Sequence, residues 1–290
     1  MSETAALQIV REPKQMQQLA ERLRLSGKKI GFVPTMGALH EGHLSLVRLA
    51  KAHADVVVMS IFVNPLQFAP NEDFARYPRP FERDIELARQ VGVDVLFSPE
   101  MQMLYGEHFE SYVSLERVSK GFEGESRPTH FRGVATVVTK LFNITKPHIA
   151  VFGEKDAQQL SLVKNLVRDL NFDIEIIAAP IVREPDGLAM SSRNIYLSPE
   201  ERQLAPAIYK SLQLAELHIA QGERQAKVLE ELVTQSIISM GKIMQIDYVA
   251  VVNAESFQRV EQLHEGQDYY ILVAVRLGSV RLLDNLHVQL

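Results

Sequence analysis

The sequence predicts an α/β fold: a parallel sheet with helices on both faces, plus a smaller C-terminal α+β domain. Three observations carry this. Short β-branched runs, apolar at nearly every position, recur through roughly the first 180 residues. Helical patterns lie between them, the alternation expected of a parallel sheet covered on both sides. Farther on, two helical stretches come first and three strand-like runs follow in succession. A chain of 290 residues exceeds what one small core usually organises, so two domains are expected, 1–181 and 182–290.

In chain order, "MQQLAERLRLSG" (16–27) reads as a helix and "KKIGFV" (28–33) as a strand. "HLSLVRLAKAHA" (43–54) is the next helix and "DVVVMSIFV" (55–63) the next strand. "FERDIELARQVG" (81–92) and "DVLFSP" (94–99) repeat the pair, as do "GVATVVTKLFNIT" (133–145) and "IAVFG" (149–153). "AQQLSLVKNLVRDLN" (157–171) and "DIEIIAAPIV" (173–182) complete the first domain, with the junction at 180–183. The second domain opens with a capping box: Ser198 at the N-cap, Pro199 in the first turn and Glu201 three residues on. It continues as one helix to about residue 222, with a second over 225–240. Then come "IDYVAVVN", "YYILVAVRL" and "VRLLDNLHV"; only Gly278-Ser279 splits the last two, the spacing of a hairpin.

Bulk composition narrows the function. The chain is 46% hydrophobic and 23% charged, with net charge −5. Nonspecific nucleic-acid binders are usually basic, so nucleic acid is not expected as a partner. There are no cysteines, hence no disulfide framework and no cysteine-ligated zinc. The first twenty residues lack an apolar core and predict no signal peptide. No apolar run is long enough to span a bilayer, so a soluble cytoplasmic protein is expected, without a membrane partner.

The most informative stretch is "PTMGALHEGH", where a strand hands over to a helix. In an open parallel sheet, ligands bind beyond the carboxyl ends of the strands. Gly37 and Gly42 let backbone approach a ligand, and a helix start offers N–H groups and a positive dipole end to phosphate. His40 and His43 there can donate to phosphate oxygens as charge builds up. Two histidines in an ordinary capped loop are the plainer alternative. Zinc is not expected: the spacing is three residues rather than the four of H-E-x-x-H, and no third ligand is obvious.

"H-x-G-H" after a strand resembles the signature of the HIGH-type nucleotidyltransferase superfamily. With "SIFVNPLQF", "YPRPFERD", "RPTHFRGVATVVTKLFN", "FGEKDAQQL" and "IVREPDGLAMSSRN" in order, the chain resembles the pantothenate synthetase (pantoate–β-alanine ligase) family. The resemblance implies a Rossmann-like first domain and a C-terminal lid. It implies ATP-dependent condensation of pantoate with β-alanine through pantoyl adenylate, releasing AMP and pyrophosphate. It also implies Mg²⁺ as cofactor and a homodimer. Another nucleotidyltransferase of the superfamily, with a different acceptor, is the alternative.

The resemblance assigns residues as well. Met36, Gly37, Ala38, Leu39, His40, Glu41, Gly42 and His43 would bind ATP, as would Gly153, Glu154, Lys155, Asp156, Val182, Met190, Ser191, Ser192 and Arg193. Gln67 and Gln159 would hold pantoate, and Gln67 also β-alanine. His40, His43, Lys155 and Arg193 would be catalytic, His43 as proton donor, and no protein metal ligand is expected. "LAMSSRN" stands where a strict KMSKS loop would be, with Ala189 and Arg193 at its lysine positions; arginine still offers a fixed fork of donors to phosphate. Pro34, Met36 and Phe62 are candidates for an apolar wall around pantoate. The stretch 121–133 reads as a loop over a site, with Glu123, Arg127 and His130 as candidate contacts. Asp84 is either near a metal or, the preferred reading, one of several acids on an exposed helix face.

Overall fold

The computed structural model describes residues 7–70, 72–240 and 244–290. The chain divides into two compact units. The first runs to Glu154 and includes Leu162–Ala179; the second comprises Lys155–Ser161 and Pro180–Leu290. The sequence places the junction at 180–183; the second unit's main segment begins at Pro180. The segment 155–161, assigned from sequence to the first domain, belongs to the second unit.

The first unit is a six-stranded parallel sheet. Its strands are β1 (Gln8–Val10), β2 (Ile30–Thr35), β3 (Val56–Ile61), β4 (Val95–Phe97), β5 (Ile149–Gly153) and β6 (Glu175–Ala179), in the order β1-β4-β3-β2-β5-β6. Chain direction across the sheet reverses between β2 and β5, the place where open α/β sheets bind ligands. The helices are α1 (Pro13–Leu25), α2 (Glu41–His53), α3 (Phe81–Val91), α4 (Met101–Leu104), α5 (Phe122–Ser126), α6 (His130–Thr145) and α7 (Ala157–Asp169), the last shared between the units.

The apolar runs follow from burial on both faces. Val33, Val57, Met59, Leu96 and Val151 pack with Val47 and Ala50 of α2 and Ile85 and Ala88 of α3. On the opposite face Phe142 of α6 meets Phe32 and Phe152 edge-on, at ring separations of 6.3 and 6.4 Å.

The second unit contains α8 (Pro199–Leu204), α9 (Ala207–Ala220), α10 (Ala226–Ser239) and the antiparallel sheet β7 (Met244–Asn253), β8 (Asp268–Leu277), β9 (Val280–Gln289). Ile208, Leu212, Leu229 and Val233 cover Val251, Ile271, Val273 and Val275. Ser198 and Glu201 form the expected capping box at 3.3 and 2.8 Å. The single helix expected over 198–222 is two, because Pro206 has no N–H to continue α8. The Gly278-Ser279 hairpin forms, with Leu277 opposite Val280 and Gly278 at φ +59°. Among the described residues no helix is long and apolar enough to cross a membrane.

Candidate active site

The chain leaves β2 at Thr35 and must reverse tightly to start α2. Gly37 and Ala38 take left-handed conformations, φ +81° and +50°. A Cβ on Gly37 would lie 2.9 Å from Asp84 Oδ2 and 3.0 Å from Ile61 Cγ2, so only glycine fits. The Thr35 hydroxyl accepts from Gly37 N–H at 3.2 Å and donates to the Ser60 carbonyl at 2.7 Å. Asp84 of α3 accepts from Ala38 N–H with one oxygen and from Leu39 N–H with the other, both at 2.8 Å. Its residue is only 1% exposed, which corrects the expectation that Asp84 lies on an open helix face. Burial pushes its carboxyl above the usual carboxylate range, against the pull of the Leu39 and Ala38 N–H groups and of Arg83.

His40 is the N-cap of α2 and His43 is its N3 residue, and the two form a reciprocal capping box. His40 Nδ1 accepts from Gly42 N–H at 3.2 Å, and His43 Nδ1 accepts from His40 N–H at 3.3 Å. The rings stand 4.1 Å apart, centroid to centroid. Because each Nδ1 is an acceptor, each neutral ring carries its proton on Nε2. The three-residue spacing thus has a structural reason, and it presents donors at a helix N-terminus. Glu41 is exposed and pairs with Arg48, farther along the same helix.

Beyond β3, Asn64 accepts from Leu66 N–H and caps a short 3₁₀ turn, Pro65–Gln67. Asn64 is buried and fully engaged: its amide donates to Gln67 Oε1 (3.2 Å) and the Gly133 carbonyl (3.0 Å), and its oxygen accepts from Leu66 N–H (3.3 Å) and Tyr105 O–H (2.9 Å). Gln67 Nε2 lies 2.9 Å from Met36 Sδ, which joins this turn to the histidine loop. The Gln67 carbonyl accepts from Arg127 Nη2 at 3.2 Å and from His130 Nδ1 at 3.0 Å. Arg127 also grips Glu72 with two bonds, 2.8 and 2.7 Å. For Glu72, burial acts upward, yet the Arg127 hydrogen bond and charge, with His130, hold its carboxyl below the usual range. The stretch 121–133 is therefore not a loop over a site. It forms α5 and the start of α6; Glu123 is buried, and Arg127 and His130 brace Gln67. Met36, Phe62 and Asp84 also border a cavity of about 410 Å³, with Phe74 and Phe81 among its other lining residues. Pro34 does not line it.

In the first unit Gly153 ends β5 and Glu154 opens the 3₁₀ turn Glu154–Asp156. In the second unit Lys155 and Asp156 end a 3₁₀ turn that leads into α7, with Lys155 and Gln159 half-buried and Asp156 exposed. Asn285 of β9 donates to the Lys155 carbonyl at 3.0 Å. Its neighbour Asp284 binds Arg183 through both oxygens, 2.6 and 2.9 Å. Arg183 also donates to the Gly187 carbonyl at 3.1 Å and lies 3.6 Å from the Tyr209 ring centre. This clamp anchors a narrow turn in which Arg183 bridges Ala189 and Met190 N–H donates to the Val182 carbonyl. Gly187, at φ +96°, sits where a Cβ would be 2.7 Å from Tyr209 Cδ1. Ser191, Ser192 and Arg193 follow, half-buried. Asn194 ties them back by donating to Glu184 and the Ala189 carbonyl, at 3.0 and 3.1 Å.

A family model described as pantoate-beta-alanine ligase matches residues 8–287. The chain belongs to the pantoate–β-alanine ligase family. The pantothenate synthetase of Chloroherpeton thalassium is 55% identical over 285 residues, 98% of this chain and all of that protein. That of Thermotoga petrophila is 52% identical over 279 residues, 96% and 99% of the two chains. Among solved structures, pantothenate synthetase from Thermus thermophilus superposes with a TM-score of 0.90 at 42% identity, over 98% of this chain and 100% of that one. The Francisella tularensis ligase, complexed with beta-gamma ATP and beta-alanine, gives 0.77 at 36% identity, over 97% of each chain. Near-complete coverage sets aside a nucleotidyltransferase with another acceptor. Membership of a ligase family makes the chain an enzyme.

Sequence reasoning missed the roles of four residues: Asn64 and Asp84, which brace loops of the first unit, and Arg183 and Asp284, which clamp a turn of the second. A signal existed for Asp84. Phe81, Asp84, Ile85 and Ala88 share one helical stripe, so an acid there sits among core positions. The bonds from Asn64 to Gly133 and from Arg183 to Asp284 span 69 and 101 residues, beyond any local pattern.

Proposed function

We propose that this member of the pantoate–β-alanine ligase family acts through pantoyl adenylate, with His40, His43, Lys155 and Arg193 as its catalytic residues. A pantoate carboxylate oxygen attacks the α-phosphorus of ATP, and the bond to pyrophosphate breaks. The β-alanine amine then attacks the acyl carbon; the amide forms, AMP leaves with the pantoate oxygen, and the amine releases a proton. No covalent enzyme intermediate is needed, so positioning and charge neutralisation supply the catalysis.

The reading rests above all on the reciprocal histidine cap. It puts two Nε2–H donors at the N-terminus of α2, beyond the carboxyl end of β2. We assign His40 and His43 to the triphosphate, with His43 donating as pyrophosphate departs. Met36, Gly37, Ala38, Leu39, Glu41 and Gly42 would also bind ATP, as would Gly153, Glu154, Lys155, Asp156, Val182, Met190, Ser191, Ser192 and Arg193, with Lys155 and Arg193 as the neutralising cations. The Val182 carbonyl already accepts from Met190, so its N–H is the group we assign to adenine. Gln67 and Gln159 would hold pantoate, and Gln67 would also meet β-alanine.

Magnesium fits this site as the counter-ion of ATP rather than as a protein-held ion. Both Asp84 oxygens accept backbone N–H bonds, and among the described residues no three His, Asp or Glu side chains cluster as metal ligands. Phosphates and water would then be its ligands. A cytoplasmic location and a homodimer complete the proposal. The test is pantoate-dependent pyrophosphate exchange into ATP with His43→Ala. The variant should fold and lose about a hundredfold or more in exchange rate. Native exchange in that variant contradicts the assignment.

A further inference from the structure

We propose that Asp84 is a positioning residue for the histidine loop, acting on the reaction through the backbone that carries His40. The proposal rests on the role just assigned to the histidines. Asp84 reaches across from α3, 46 residues from Ala38 in sequence, and each carboxylate oxygen takes one N–H of consecutive loop residues. Ala38 is the residue least suited to its own backbone. At φ +50° it occupies the left-handed region, which β-carbon-bearing residues seldom enter. Gly37, beside it, is closed off by the same carboxylate: there is no room for a Cβ between it and Asp84. Two hydrogen bonds to an ionised acceptor are strong enough to hold such a turn.

What the turn sets is the entry angle into α2. Leu39 N–H is held by Asp84, and the next N–H, that of His40, is held by His43 Nδ1. An unbroken series of held amides thus runs from Ala38 to the two rings. A carboxylate meets this geometry because it offers only acceptors. An amide of the same shape offers one acceptor and one donor, so one of the two loop N–H groups would face another N–H. The arrangement therefore depends on one residue that touches no substrate in our assignment.

The test is Asp84→Asn, compared with His43→Ala. We expect Asp84→Asn to fold and to lose about ten- to a hundredfold in kcat for pyrophosphate exchange, as for a misplacement of catalytic groups by an ångström or less. KM for β-alanine should stay within about twofold. Adding Ala38→Gly should restore part of the lost kcat, because glycine adopts φ +50° without a clamp. A residue that only stabilises the fold would lower Tm, leave kcat intact and show no such rescue. A kcat within about twofold of native in Asp84→Asn overturns the proposal, whatever happens to Tm. If His43→Ala is inactive at the same time, the failure belongs to the clamp and not to the histidine assignment. A measurement on the unaltered protein guards against a variant that will not fold. The amide hydrogens of Ala38 and Leu39 should exchange at least tenfold more slowly than solvent-exposed loop amides, and exchange at the exposed rate also overturns it.

Discussion

Gly133→Ala should damage pantoate handling without touching any proposed ligand contact. Gly133 lies in the first turn of α6, where the helix passes over the 3₁₀ turn that carries Gln67. A Cβ at this position would stand 2.2 Å from the Leu66 carbonyl oxygen, 2.4 Å from its carbon and 2.5 Å from Gln67 N. Carbon–oxygen contacts normally settle near about 3.4 Å, so the backbones must part by about 1 Å. All three obstructing atoms are main chain, so no rotamer change relieves them. Parting also stretches the 3.0 Å bond from Asn64 to the Gly133 carbonyl, and with it the amide that orients Gln67. Overpacking of this kind costs about 1–3 kcal/mol, a few degrees in Tm. A displacement of a substrate-orienting group by about 1 Å costs about a hundredfold. We therefore expect kcat/KM for pantoate to fall by roughly that factor. Gly106→Ala is the control, since a Cβ there meets nothing within 4 Å. Steady-state kinetics with varied pantoate and a thermal melt check both parts. Native Tm together with native kcat/KM in Gly133→Ala would refute the reasoning.

Three further expectations are open to measurement. Glu72 is held below its ordinary value of 4.5 by Arg127, so its pairing stabilises the fold above that pH and is lost as pH falls through the lower folded value. The Tm gap between native and Glu72→Gln should be full above about pH 5 and close with acidification; a gap that widens as pH falls contradicts the pairing. Arg183→Met strands the buried Asp284 carboxylate and should cost about 3–5 kcal/mol in urea unfolding, much of it regained in Arg183→Met/Asp284→Leu. Ser198→Ala removes one half of the α8 capping box and should cost about 1 kcal/mol in the same assay, with activity unchanged.

The fold was legible where chemistry is local. Strands buried on both faces read as unbroken apolar runs, and the Gly278-Ser279 turn announced its hairpin. β1 escaped notice because it is three residues long with Ile9 40% exposed, too short and too open to make a pattern. The stretch 121–133 misled because its length and its Gly-, Pro- and charge-rich composition read as a loop. Gly124 is instead demanded by packing: a Cβ there would meet the Ser119 carbonyl oxygen at 1.8 Å. Of the candidate site, the histidine pair was legible, including its place at a helix start. That the same two rings cap the helix follows from a spacing of three, which fits an N-cap and its N3 partner. The long-range bracing was not legible. Asp84 bonds to Ala38 and Asn64 to Gly133 in the first unit, and Asp284 to Arg183 in the second; such partnerships exist only once the chain has folded.

Activation of pantoate as its adenylate is tested most directly with pantoate labelled with ¹⁸O in its carboxylate, turned over with ATP, magnesium and β-alanine. AMP should form in equal amount with pantothenate, and each AMP should carry one ¹⁸O. ADP as the nucleotide product, with the label in inorganic phosphate, would contradict it.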